Sequence, residues 1–161
     1  MQRRRLLTLA AAPLAGCGFE LRRAQTLSFR SIALIGFAPQ SSLADALRQQ
    51  LVASNVQVFD APARAEAVFE ALADARERSV VASTSAGQVR EVQLRVRLRF
   101  RVATPSGTLL LAAAELLLTR DMSYSETAAL AKAQEEALLL RAMEDDIVAQ
   151  VMRRLAVIRS T

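Results

Sequence analysis

The sequence predicts an α+β fold. It reads as one small domain with a four-stranded, mostly antiparallel sheet and two helices, one short and one long and C-terminal, packed on one face. Three observations predict it. Residues 92–102 (VQLRVRLRFRV) alternate strictly between apolar and polar, and a Thr-Pro-Ser-Gly-Thr turn then leads into a second β-rich run. Leu43, Leu47 and Leu51 fall four apart between two β-rich stretches. From Leu130 to Ile158, apolar residues step by three or four to the end of the chain.

In chain order, the first seventeen residues are read separately from the fold. Arg3, Arg4 and Arg5 make a positive start and Leu6–Ala15 a short apolar run, too short to span a bilayer in a helix. Leu14-Ala15-Gly16-Cys17 then matches the bacterial lipobox. Small residues fit the peptidase, and the thiol accepts a diacylglyceryl group. The expectation is a signal peptide at 1–16, removed in the mature chain, a lipidated tether at 17–28 that starts at Cys17, and a single domain at 29–158. Three acyl chains exceed what stable anchoring needs. Gly18, in place of Asp, directs such a lipoprotein to the outer membrane.

Phe29–Phe37 reads as a strand that ends at Ala38-Pro39, and Ser41-Ser42 offer an N-cap for the helix bearing the three leucines. Asn55 is a left-handed stop before the short alternating stretch at 56–59. Residues 65–82 favour a helix by propensity but lack a clean 3.6-residue stripe. The 83–88 loop leads to the arginine strand, and 109–124 returns from the 104–108 turn. A helix over 126–157, roughly 48 Å long at 1.5 Å per residue, completes the domain. Its expected stripe is Leu130, Ala133, Ala137, Leu140, Met143, Ile147, Val151, Leu155 and Ile158.

Charge and composition exclude several functions. The leader carries three of the 21 basic residues and none of the 16 acidic ones, which leaves 18 against 16 and a net charge of +2. That small excess gives no reason to expect nucleic acid as a partner. There is no His, and lipidation of Cys17 leaves no free thiol. Glu135-Glu136 and Glu144-Asp145-Asp146 read as solvated helix faces, because neighbouring helical residues diverge. No catalytic residue, cofactor or metal site is expected.

Arg95, Arg97, Arg99 and Arg101 share one face of the alternating strand. If Thr104 pairs with Thr108 and the ladder runs on without interruption, Arg101 meets Leu111, Arg99 meets Ala113, Arg97 meets Glu115 and Arg95 meets Leu117. A face that also carries Leu109, Leu111 and Leu117 is either a patch on which arginine stems cover leucines or one that meets a protein wall or an anionic amphiphile.

Cys17-Gly18-Phe19-Glu20-Leu21-Arg22, the Gly87-Gln88-Val89 stretch before the long strand, Thr119-Arg120-Asp121 before Tyr124, Ala131–Glu136 and Arg153-Arg154-Leu155 occur in an order and spacing that resemble the LPS-assembly lipoprotein family LptE. The resemblance implies that 65–82 is mainly strand. It also implies a lipoprotein on the periplasmic side of the outer membrane and within the lumen of the LptD β-barrel, in a one-to-one complex that binds lipopolysaccharide and assists its insertion. Lys132 matches a basic position that the family uses against lipopolysaccharide, and Arg90 lies near the 86–88 loop. Ser85 stands where relatives can carry a basic residue. The alternative is a generic outer-membrane lipoprotein that binds a hydrophobic ligand or scaffolds another envelope complex.

Overall fold

Residues 27–158 are described by the computed structural model. The signal peptide expected at 1–16, the expected lipidation position Cys17 and most of the tether expected at 17–28 lie outside them. The sheet has five strands in the order β2-β1-β3-β4-β5, one more than expected. β1 (Ser31–Ile35) lies parallel to β2 (Gln57–Phe59) and to β3 (Ala67–Ser83). β3, β4 (Val89–Ala103) and β5 (Leu109–Ser123) form an antiparallel meander.

The short helix α1 (Ser42–Ala53) begins where its cap predicts, since Ser41 Oγ accepts from the Ala44 N–H at 3.1 Å. Leu43, Leu47 and Leu51 are all buried. Asn55 takes φ +60°, two residues past the end of the helix. Gly36, at φ +79°, ends β1 where a Cβ would collide with the backbone carbonyl of Ala71.

The fifth strand is the ambiguous segment, β3, which is a strand as the family resemblance implies and not the helix its propensity favours. Its Ala, Glu and Arg content favours a helix in isolation, but it pairs with β4 along nearly its whole length and with β1 over Ala67–Glu70. A ladder of this length overrides a propensity worth tenths of a kcal/mol per residue. Ala67, Phe69 and Ala71 point into the core. A register shift at Leu72 follows, after which Asp74, Arg76 and Arg78 pair with Leu98, Val96 and Leu94. This break hides the period-2 pattern from a sequence reading.

Two hairpins of one design join β3 to β4 and β4 to β5. Thr84 and Thr104 each bond through backbone N–H to the carbonyl four residues on, at 2.8 Å in both turns. Their Oγ1 atoms accept from the Gln88 and Thr108 N–H groups at 3.1 and 3.0 Å. Gly87 and Gly107 take φ +78° and +93°, the left-handed position such loops require.

The long helix α2 (Ala129–Leu155) is shorter than expected, about 40 Å at 1.5 Å per residue, because a 3-10 turn occupies Glu126–Ala128. Its C-terminal half fills the core with Met143, Ile147, Val148, Val151, Met152 and Leu155. The predicted stripe fails at its start, where Leu130, Ala133 and Ala137 are exposed. The apolar face of α2 finds its counterpart only where α1 and the middle of the sheet lie beneath it. Val92, Leu94, Val96, Leu98, Phe100 and Val102 are all fully buried beneath the helices, as the alternation predicts. A smaller cluster of Ala33, Ala65 and Val68, with Ile35 and Phe59 against it, forms a separate patch of burial.

Candidate functional site

β4 runs for 15 residues, about 50 Å, and its arginines stand exposed on the face away from the helices. The ladder to β5 differs from the uninterrupted register. It begins as expected at Thr104 and Thr108, but shifts at Phe100/Val102 and again at Val102/Ala103. Beyond these bulges every partner is displaced by two residues. Arg99 faces Glu115, Arg97 faces Leu117 and Arg95 faces Thr119. Leu111 is drawn into the core cluster, while Leu109 and Leu117 remain exposed. An inserted residue leaves no trace in an alternation pattern, so the sequence does not reveal it.

This register gives three of the four arginines an acidic partner across the ladder. Arg101 opposes Glu70 and holds it at 2.6 Å through Nε, Arg95 opposes Glu77, and Arg99 opposes Glu115. Arg95 also donates through Nε to Gln93 Oε1 at 2.8 Å, and Gln93 Nε2 donates to Asp121 Oδ1 at 2.9 Å. Arg97 alone lies between two apolar residues, Ala75 and Leu117. The stripe is therefore a cross-strand charge ladder with one break, and not a bare cationic surface.

Arg90 and Lys132 are elsewhere. The Tyr124 N–H bonds to the Arg90 carbonyl at 2.8 Å, and Lys132 Nζ donates to Ser123 Oγ at 3.0 Å and to Glu135 Oε2 at 2.8 Å. Both residues thus adjoin the Ser123-Tyr124 corner, at the end of the sheet where β3 turns into β4. Lys132 is no freely solvated residue, since its side chain is only 19% exposed. Arg78 lies over the Tyr124 ring, 5.3 Å from its centroid, and Arg120 shares the Leu94 row with Arg78. Apolar surface adjoins this corner on the sheet, where Val80, opposite Val92, is 51% exposed, whereas Leu130, two residues before Lys132 and 78% exposed, lies on the other side of the helix. Cations beside apolar surface can hold a molecule with an anionic head and acyl chains.

The carboxylates read as solvated divide in two. Glu136 accepts from Arg78 Nε at 3.1 Å. Glu144 is buried, at 4% exposed. Its Oε2 accepts from Ser42 Oγ at 2.7 Å. Its Oε1 lies 2.6 Å from Arg76 Nε in an ion contact that lacks hydrogen-bond alignment. Ser42 in turn accepts from Arg76, so α1, α2 and β3 meet at one polar clasp. Sequence reasoning missed this clasp because it needs β3 as a strand, with Arg76 and Arg78 directed at α2. Among the described residues no cluster of His, Cys, Asp or Glu can hold a metal ion, and no helix is long and apolar enough to cross a membrane.

The family model LptE, described as lipopolysaccharide-assembly, matches residues 29–155. The LPS-assembly lipoprotein LptE of Yersinia enterocolitica is 28% identical over 158 residues, spanning 96% of this chain and 75% of that one. Its Pectobacterium atrosepticum counterpart is 27% identical, over 97% and 85%. Among solved structures, an uncharacterized lipoprotein B from Nitrosomonas europaea superposes with a TM-score of 0.71 at 26% identity, covering 86% of this chain and 90% of that one. The rare lipoprotein B of Shewanella oneidensis gives 0.63 at 26% identity, over 78% and 93%. With a family model that spans nearly all of the described domain, and relatives matched along almost the whole chain, this chain belongs to the LptE family of lipopolysaccharide-assembly lipoproteins.

Proposed function

We propose that this lipoprotein is anchored in the outer membrane through Cys17, assembles one-to-one with the LptD β-barrel within its lumen, binds lipopolysaccharide and assists its insertion at the cell surface. Family membership supports the assembly role. The observation that carries the ligand reading is the approach of Arg90 and Lys132 to the Ser123-Tyr124 corner, beside exposed Val80. Phosphate groups would be held by Arg90, with its paired donors, and by Lys132, as a point charge. Acyl chains would lie against Val80. The arginine ladder, half of whose surroundings are small or apolar, is the face turned toward the partner wall.

The first experiment is recovery of the tagged chain from detergent-solubilised outer membranes, with the co-purifying proteins identified by mass. One large β-barrel at an equal molar amount is expected, and recovery of the lipoprotein alone refutes the barrel reading. For the ligand, Arg90→Ala with Lys132→Ala lowers lipopolysaccharide affinity by at least tenfold at low salt, and the deficit narrows as salt rises. Affinity equal to wild type at every salt concentration removes the corner from the site.

A further inference from the structure

The two edges of the sheet are built differently. β2 is three residues long, and Pro62 follows shortly after it. Short strands and proline are ordinary ways of protecting an edge. On that side β1 covers β3 only as far as Glu70, and the rest of β3 is guarded by register shifts and by Asp74, Arg76, Glu77 and Arg78. β5, on the opposite edge, is 15 residues long, reads LLLAAAELLLTRDMS and contains neither Pro nor Lys. Among the described residues no strand lies beyond it. A long apolar edge left bare is a template for further strand pairing.

The free positions follow from the ladder. Because the Tyr124 N–H bonds to the Arg90 carbonyl, residues 90 and 124 form a hydrogen-bonded pair. Such pairs alternate along an antiparallel ladder, so the even-numbered residues of β5 above the bulge bond to β4. The N–H and C=O groups of Glu115, Leu117, Thr119 and Asp121 therefore point outward, while their side chains stand on the arginine face. All four residues are exposed.

We propose that β5 is a docking edge, which an extended segment of the barrel partner completes as a sixth strand. This inference rests on the barrel reading given above. A row of alternating donors and acceptors is matched by peptide backbone and not by a lipid. Glu115 and Asp121 lie six residues apart on one face, about 20 Å, so the incoming strand carries a cation opposite each, with apolar or β-branched residues between them. A second copy of this chain does not fit. Antiparallel pairing of β5 with itself brings its odd-numbered residues together, and none of those from Leu109 to Ser123 is basic. The chain's own tether does not fit either. Arg22 and Arg23 are adjacent, so they cannot meet acids six positions apart.

The test is Thr119→Pro against Thr119→Ala, each tagged and recovered from outer membranes beside wild type. Proline at an outward-facing N–H leaves the β4 ladder intact and blocks pairing on the free side. The expected result is at least tenfold less barrel with Thr119→Pro and less than twofold change with Thr119→Ala, at unchanged melting temperature. Equal recovery with Thr119→Pro overturns the docking edge while the barrel reading stands, and wild type that brings down no barrel overturns both. A photo-crosslinking residue at Leu117 gives a second measurement that does not depend on the proline variant folding. An adduct with the barrel supports the proposal, whereas an adduct with a second copy, an adduct within the chain, or none overturns it.

Discussion

Replacing Glu144 by alanine is expected to destabilise the domain by about 3 kcal/mol. The carboxylate is buried where α1, α2 and β3 meet. A hydrogen bond to a charged group, such as that from Ser42 at 2.7 Å, contributes roughly 1.5–3 kcal/mol. The Arg76 contact is worth less than a fully buried pair. Its guanidinium side is 38% exposed, which places the ion term at about 1 kcal/mol after solvent screening. Loss of Glu144 leaves Arg76 able to reach water, so the penalty stays below the roughly 3–5 kcal/mol of an uncompensated buried charge. For a domain of this size, about 3 kcal/mol lowers the melting temperature by about 10 °C. Glu144→Gln keeps an oxygen for Ser42 and loses only the charge, so it costs about 1 kcal/mol. Urea unfolding of wild type, both single variants and the Glu144→Ala/Arg76→Ala pair measures these terms. Melting temperatures for Glu144→Ala within 2 °C of wild type, or a double variant whose cost equals the sum of its singles, would refute the clasp.

Four further outcomes are expected. Gly36→Ala places a Cβ against the Ala71 carbonyl at a left-handed φ, and should lower stability by at least about 2 kcal/mol in the same unfolding assay. Arg95→Glu with Arg99→Glu sets acids opposite Glu77 and Glu115, which should remove about 1–2 kcal/mol and reduce barrel recovery. Arg97→Leu, between Ala75 and Leu117, should change stability by less than about 0.5 kcal/mol, and unaltered barrel recovery in the folded double variant would mark the ladder as solvated. Cys17→Ala should abolish palmitate incorporation and release the protein from the membrane fraction, whereas labelling at the wild-type level would exclude Cys17 as the anchor.

Local chemistry was legible in the sequence. The Ser41 cap, the Leu43–Leu47–Leu51 stripe, the left-handed Asn55, the Gly107 turn and the buried even-numbered face of β4 are each set by a few adjacent residues, and each stands as expected. The family resemblance rests on short motifs whose order and spacing are read along the chain, so membership could be read before any fold. What only the tertiary structure decided involves partners far apart in the chain. Residues 67–83 form a strand because β4 supplies ladder partners along their length and β1 over the first four, against their own helical preference. The arginines meet Glu115, Leu117 and Thr119 because two successive bulges move the register by two, and a bulge is invisible to a period-2 pattern. Glu144 is buried because Ser42 and Arg76, about a hundred and about seventy residues away in the chain, converge on it. Propensity and periodicity act over a few residues, whereas register, burial of charge and the unfinished edge of β5 depend on which strands become neighbours.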